Sequence, residues 1–462
     1  MKKVVTLLLF VTGTFASFAD NSNGSKPNVL FIAIDDLRPE LGCYGDTVAK
    51  TPHIDRLASE GTLFQRAYCQ VAVCGASRAS MMTGILPTKT RFVDYLARAD
   101  VDTPHATTIA QAFKESGYTT LAHGKIFHKS DDTADRSWSE KPRGTGLSHK
   151  VSYDPATTET KSERGSGLFY ESVDVPDEAY TDGLVAARTI EDLRRFKESG
   201  KPFFIGCGFI RPHLPFYAPK KYWDLYDADD IPLAAFRERP KHAPESLRGS
   251  NEFKTYELGD YDLESDAFHL KMRHGYLAAT SYVDKLVGDV LNELEALGLA
   301  ENTIVVIWGD HGWHLGEYDF WGKHNTMHLA TRIPLIVKAP GKPQGVSTDA
   351  LISSVDLFPT LCALAGIDVP ASVQGKSFAA VLSDPEAAIN EVVYTRYRNA
   401  DAIVTERYNY SLYENGEEML YDLQIDPGET VNRVGNPEYK SILSRLRESL
   451  KEQIAFAESA SI

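Results

Sequence analysis

The 462 residues are 43% hydrophobic and 24% charged, a globular composition long enough for one large domain and a smaller one, which excludes a disordered or fibrous chain. A formal net charge of -15 argues against nucleic acid as a partner, because a phosphate-binding surface needs an excess of Lys and Arg. Five cysteines, at 43, 69, 74, 207 and 362, are too sparse for a disulfide framework and leave at least one thiol unpaired, with Cys43 to Cys69 as one possible bridge.

In chain order, Met1-Lys2-Lys3 is basic, Val4 to Phe15 is apolar, and Ala16-Ser17-Phe18-Ala19 ends in a small-x-small cleavage pattern. This predicts a signal peptide over residues 1–19 and an exported mature chain, periplasmic or secreted, starting near Asp20. Without Lys2 and Lys3 the formal charge moves from -15 to -17. The apolar run is shorter than the ~20 residues of a membrane span, so no membrane anchor is expected.

After a polar lead-in, Val29 to Ile34 is an apolar run of strand length that ends in Asp35-Asp36. Such runs suit the centre of a parallel sheet covered on both faces. Thr51-Pro52 opens a short helix that Gly61 stops. The alternation continues with a helix over Ala106 to Glu115, a strand over Tyr118 to Ala122, a helix over Tyr180 to Glu198 and a strand over Phe203 to Phe209. A long amphipathic segment carries Tyr276, Tyr282, Val283, Leu286, Val290 and Leu294, and strands over Thr303 to Trp308 and Ile333 to Val337 follow. The fold class predicted is α/β, a large and mostly parallel sheet sandwiched between helices.

Ser130 to Asp177 and Asp227 to Asp266 interrupt the alternation and read as long surface insertions, where selectivity is often built. Past Gln374-Gly375-Lys376 the runs Val392 to Tyr394, Ala402 to Thr405, Tyr408 to Tyr413 and Met419 to Leu423 predict a smaller antiparallel sheet, closed by a helix over Pro437 to Glu458. The expected organisation is a catalytic domain over 20–375 and a C-terminal subdomain over 376–462.

Chemistry concentrates in Cys74-Gly75-Ala76-Ser77-Arg78, where a helix opening at Cys74 puts Ser77 and Arg78 on the face of the sulfur and favours anions at its N-terminus. Asp35-Asp36 and Asp310-His311 each follow a strand. Three aspartates delivered to one edge suit a hard cation such as calcium or magnesium, although strand-end aspartates also cap helices.

Taken together, Cys74-Gly75-Ala76-Ser77-Arg78 followed by Met82-Thr83-Gly84 resembles the signature of the type I sulfatases of the alkaline phosphatase superfamily. The segments Gly124-Lys125-Ile126-Phe127-His128, Arg211-Pro212-His213-Leu214-Pro215-Phe216, Asp310-His311-Gly312-Trp313 and Trp321-Gly322-Lys323 resemble the iduronate-2-sulfatase branch of that family. The resemblance implies that a formylglycine-generating enzyme oxidises Cys74 to formylglycine (3-oxoalanine), whose hydrate attacks sulfur with one hydroxyl and expels sulfate with the other. It implies one Ca2+, with Mg2+ as the alternative, held by Asp35, Asp36, modified Cys74, Asp310 and His311. It also implies Arg78 as support for the diol, Lys125 and Lys323 on sulfate oxygens, His128 assisting the diol and His213 protonating the leaving alcohol.

Three positions depart from the family pattern. Ala76 stands where proline is commoner, His311 where many members carry asparagine, and Arg211 where the iduronate branch has lysine. A planar fork at 211 makes Arg211 a candidate for a uronate carboxylate. The function expected is hydrolysis of sulfate esters on a sulfated oligosaccharide, foremost uronate 2-O-sulfate. Marine glycans such as ulvan or fucose sulfates are the alternative substrates. A phosphatase or phosphonate hydrolase, or a sugar-binding protein with unmodified Cys74, are the rival readings.

Overall fold

A computed structural model describes residues 26–154 and 167–460. The expected signal peptide and residues 155–166 of the first insertion lie outside the described residues. The main elements are β1 (Asn28–Ile34), α1 (Pro52–Glu60), β2 (Thr62–Tyr68), α2 (Cys74–Thr83), α3 (Ile109–Glu115), β3 (Thr119–Gly124), α4 (Thr181–Ser199), β4 (Phe203–Phe209), α5 (Asp266–Ala296), β5 (Thr303–Gly309), β6 (Arg332–Lys338), β7 (Val346–Thr348) and α6 (Leu357–Ala365). The C-terminal part adds β8 (Val392–Tyr397), β9 (Ala400–Thr405), β10 (Tyr408–Tyr413), β11 (Glu418–Asp422) and α7 (Lys440–Glu458).

The central sheet has eight strands in the order β7, β2, β6, β5, β1, β4, β3, with the short strand Ile352–Ser353 also pairing β2. All of its pairings are parallel except those of β6, which runs antiparallel to both β2 and β5. Alternation along β1 divides the core. Leu30, Ile32 and Ile34 face the layer that contains Val185 and Leu193 of α4 and Val283, Leu286 and Val290 of α5. Val29, Phe31 and Ala33 face the layer that contains Ala76 and Met81 of α2, Phe113 of α3 and Leu361 of α6. Two buried faces explain why the β1 run is apolar without a break.

Strands β8 to β11 form a separate four-stranded antiparallel sheet in sequence order. Helix α7 lays Leu443, Leu446 and Leu450 against Ile403, Tyr410 and Leu420 of that sheet. The α/β class and the small antiparallel sheet agree with expectation.

Two local expectations change, and two features carry no sequence signal. Strand β2 carries the half-buried pair Gln65-Arg66, which interrupts the apolar run that marks its neighbours. The helix expected from Ala106 begins at Ile109, because the Thr108 hydroxyl accepts the Gln111 amide at 3.1 Å and caps it there. Strand β6 reverses direction, a property of the connection and not of its residues. All five cysteines are unpaired. Tyr44 donates its hydroxyl to the Phe64 carbonyl at 3.1 Å, while Cys69 follows the end of that strand, five residues beyond Phe64 and about 16 Å from it at ~3.3 Å per residue.

Candidate active site

Register decides where the side chains meet. In β1, β4 and β5, Ile34 lies beside Phe209 and Gly309, and in β3, Gly124 lies beside Gly208 of β4. The carboxyl ends of four neighbouring strands therefore release Asp35-Asp36, Asp310-His311, Lys125 with His128, and His213 onto one sheet edge, where α/β sheets build their sites. Glycine permits the close approach at Lys125. A Cβ on Gly208 would stand 2.3 Å from the Lys125 carbonyl, and the Lys125 amide donates to the Gly208 carbonyl at 2.9 Å.

Helix α2 begins at Cys74 and is buried along its whole length. Its Ser77 hydroxyl donates to the Asp310 carbonyl at 2.5 Å. Arg78 Nε donates to Asp310 Oδ2 at 2.8 Å, and Nη2 reaches Asp35 Oδ1 at 3.4 Å. The remaining guanidinium nitrogen bonds the carbonyls of Lys125 and Ile126. Arg78, expected to support the nucleophile directly, thus has its donors on two carboxylates and the strand-end backbone. Thr83 and Gly84 of the signature close the helix, Thr83 through its hydroxyl on the Ala79 carbonyl at 2.7 Å and Gly84 with a φ of 67°.

Ligand atoms of Asp35, Asp36, Asp310 and His311 lie within 4.8 Å of one another, and so do those of Asp35, Cys74 and His311. His311 Nδ1 faces the Gly312 carbonyl at 3.0 Å and must donate to it. Nε2 is left as a buried lone pair without a hydrogen-bond partner, 3.3 Å from Asp36 Oδ1. Three fully buried carboxylates with an orphaned imidazole nitrogen fit a divalent cation. Burial raises Asp36 well above the usual carboxylate range and Asp310 to about 7, with mutual repulsion adding to the effect and Lys323 and Arg78 opposing it. Burial also acts on Asp35, but Lys125, His213 and Arg78 outweigh it and hold that carboxyl well below its ordinary value.

Around this cluster, Lys125 is bonded to Asp35, and Lys323 Nζ donates to Asp36 Oδ1 at 2.9 Å while lying 4.6 Å from the Trp313 ring centre. His128 Nδ1 is 3.2 Å from Cys74 Sγ, and burial with Lys125 nearby lowers it to about 4, so its ring is neutral at pH 7. His213 faces the Leu214 carbonyl with Nδ1 at 2.5 Å and Glu252 Oε1 with Nε2 at 3.0 Å.

Glu252 is the site residue that the sequence reading missed. Its second oxygen forms an ion pair with Lys323 at 2.8 Å, and it sits within an acid-rich insertion that gave no signal beyond its placement over the sheet edge. Arg211 requires correction. Its Nε donates to the Tyr217 carbonyl at 3.1 Å, Nη1 to His213 at 3.3 Å and Nη2 to His149 at 2.7 Å. The fork braces the loop that presents His213, and Arg211 is not among the residues lining the cleft.

That cleft, about 1220 Å³, is lined by Cys74, Lys125, His128, His213, Glu252 and Lys323 together with residues of the second insertion and the C-terminal sheet. Residues 27–367 match the family described as Sulfatase. The chain belongs to the sulfatase family. This sulfatase is accordingly a sulfuric ester hydrolase, and residues 316–455 also match the family described as N-sulphoglucosamine sulphohydrolase, C-terminal. It is similar to iduronate 2-sulfatase of Homo sapiens, 36% identical over 408 residues that cover 78% of this chain and 72% of the relative. It is similar to an ulvan-active sulfatase of Formosa agariphila, 30% identical over 454 residues that cover 93% and 81%. Among solved structures, a 2-O GAG sulfatase superposes with a TM-score of 0.67 at 25% identity, covering 94% of this chain and 93% of the other.

Proposed function

We propose that this sulfatase is exported, that a formylglycine-generating enzyme converts Cys74, and that the mature enzyme removes a 2-O-sulfate from a uronate of a sulfated oligosaccharide with one bound calcium ion. The supporting observation is that Cys74, two lysines and two histidines line one cleft, with Cys74 also within ligand reach of Asp35 and His311 of the buried carboxylate cluster. Residues 20–375 form the catalytic domain in this reading and 376–462 a C-terminal subdomain that closes the cleft. Among the described residues no helix is long and apolar enough to cross a membrane.

Asp35, Asp36, Asp310 and His311 would hold the cation beside residue 74. When bound, calcium supplies Lewis acidity and the hydrated formylglycine supplies the attacking hydroxyl at the place now marked by Sγ. Lys125 and Lys323 exchange their carboxylate partners for sulfate oxygens. His128, neutral and 3.2 Å from Sγ, takes a proton from residue 74. His213 gives one to the departing sugar oxygen. Arg78 acts through Asp35 and Asp310, keeping both carboxylates aimed at one point.

Likeness to the iduronate 2-sulfatase and to the 2-O GAG sulfatase supports a uronate 2-O-sulfate. A second reading, an algal glycan such as ulvan, is favoured by likeness to the ulvan-active sulfatase. A panel of defined sulfated disaccharides separates the two. The mass of the peptide spanning Cys74, taken from a host with the maturation machinery, is expected to be that of the aldehyde. A thiol in every copy would refute the mechanism. Chelation is expected to abolish sulfate release and lower the Tm, both restored by calcium and less well by magnesium. Full activity in chelator would remove the metal from the proposal.

A further inference from the structure

With Arg211 committed to backbone carbonyls, a cleft built for a uronate lacks its expected carboxylate partner, and the C-terminal sheet provides another. Strands β8 and β9 are joined by the two-residue turn Arg398-Asn399, since Tyr397 pairs Ala400 across it. Tyr397, Arg398 and Asn399 line the cleft that holds Cys74, Lys125 and Lys323. Tyr397 stacks flat on His324, with ring centres 5.1 Å apart and planes 8° apart. On the same tyrosine lies the Arg398 guanidinium, 5.6 Å from the ring centre. The stack is tied to the reactive centre at its inner end, because His324 follows Lys323 and its amide donates to the Ala72 carbonyl at 3.2 Å, two residues before Cys74.

The backbone is strained at both ends of this stack. His324 has a φ of 82° and Arg398 a φ of 47°, a region that L-residues avoid and that a two-residue hairpin turn normally gives to glycine. Strain of this kind persists where the surroundings overdetermine it and a function uses it. Here the surroundings are explicit. Buried Arg396 donates to the Arg398 carbonyl at 2.8 Å, to the Thr88 carbonyl at 2.5 Å and to Asp401 Oδ1 at 3.0 Å, and the Glu414 amide donates to the Asn399 carbonyl at 2.9 Å. Arg398 itself has no carboxylate within ion-pair distance among the described residues. Two other cations on the cleft wall are paired, Arg248 with Glu245 at 3.8 Å and Lys323 with Asp36 and Glu252, whereas Lys254 shares the unpaired state of Arg398 but lies against Phe253 instead of the Tyr397 stack. His324 is half-buried and lost water lowers it to about 3, so the inner layers of the stack are uncharged and Arg398 carries its only formal charge.

We infer that Arg398, presented by the β8–β9 turn on the Tyr397–His324 stack, is the specificity residue that binds a sugar carboxylate of the substrate. A guanidinium fork matches a carboxylate with two parallel hydrogen bonds, and a flat aromatic beneath it fixes the plane of the fork. The carboxylate belongs to the sulfated uronate or to the sugar linked to it. The inference rests on the proposed sulfated-uronate substrate.

The test compares kcat/KM on a 2-O-sulfated uronate disaccharide with that on its carboxyl-reduced counterpart. Arg398→Gln is expected to reduce this ratio by about 10- to 100-fold, chiefly through KM, and Arg398→Lys to restore part of it by returning charge without the fork. A disaccharide whose only carboxylate lies on the unsulfated sugar assigns the ring. Binding is read in parallel by calorimetry on calcium-loaded Cys74→Ala protein, with and without Arg398→Gln, using the same sugars. An unchanged ratio and unchanged binding of the acidic disaccharide would overturn the role of Arg398. Absence of sulfate release from every uronate 2-sulfate by unmutated enzyme would instead overturn the substrate, and calorimetry would still decide whether Arg398 holds a carboxylate.

Discussion

At the residue scale, the site is a set of charges that hold one another in place. Glu252 is the clearest case, because one carboxylate joins the proposed proton donor His213 to the proposed sulfate ligand Lys323. Burial alone would raise this carboxyl, but Lys323 and His213 hold it well below its ordinary range. Replacing it with glutamine leaves His213 without its charged partner. A sugar alkoxide needs a proton to leave, whereas nitrophenolate does not. The ratio of kcat on a sugar sulfate to kcat on 4-nitrophenyl sulfate is therefore expected to fall about 10- to 100-fold in Glu252→Gln. Equal loss on both substrates would show that Glu252 only supports the fold. The residue types that form the site were largely legible from the signature and the strand ends. Glu252 was not, since an acid among many in an irregular insertion shows its partner only when the chain closes. Arg211 was misplaced for a related reason. Sequence identifies a guanidinium next to Pro-His but not the carbonyls of His149, His213 and Tyr217 that it turns toward.

At the scale of elements, apolar runs located β1, β4 and β5 within a residue, because two-sided burial demands them. Strand β2 escaped notice through Gln65-Arg66, and nothing in Arg332–Lys338 tells which way β6 runs. Helix α1 illustrates a dependence that local sequence cannot show. Its expected cap, Thr51, makes no side-chain cap bond. The first amides are satisfied instead by Asp284 of α5, whose Oδ1 accepts from Ile54 at 2.8 Å and from His53 at 3.1 Å. A carboxylate at that helix N-terminus also meets the helix dipole, although burial pushes it up to about 7. Asp284→Ala leaves two buried amides orphaned and is expected to cost about 2 kcal/mol. Asp284→Asn, which keeps an acceptor, is expected to cost less. Denaturant midpoints of the two variants check the order, and equal losses would point to packing as the cause.

At the scale of the whole molecule, histidine burial sets the response to acid. His128 and His314 are lowered to about 4, and His149, His324 and His328 to about 3, in each case mainly by loss of water. A folded state that keeps these rings neutral binds fewer protons than the unfolded chain below its pKa of about 6.5, so stability rises with pH there and is lost as pH falls. Outside the cation cluster, three buried carboxyls pushed up to about 6 or 7 act in the opposite sense. Asp284 and Glu429 are pushed up to about 7 and Asp356 to about 6, so they favour the fold when protonated and weaken it as they ionise. Outside the cation cluster of Asp36 and Asp310, the five histidines outweigh these three carboxyls from about pH 4.5 to 6.5, and near pH 7 the two sets nearly cancel. The Tm is expected to climb from about pH 4.5 and to level off close to pH 7. A Tm that rises continuously as the solution is acidified would contradict the neutral state of these rings.

Helix α2 sets an order of events in the life of the chain. Every residue from Cys74 to Thr83 is buried, and a Cβ on Gly75 would stand 2.1 Å from the Tyr95 carbonyl, so no second protein can grip this peptide once the sheet has closed over it. In the proposed maturation, oxidation of Cys74 therefore competes with folding. A copy that closes first remains a thiol for as long as it stays folded, and the active fraction of a preparation becomes a record of which process was faster during synthesis.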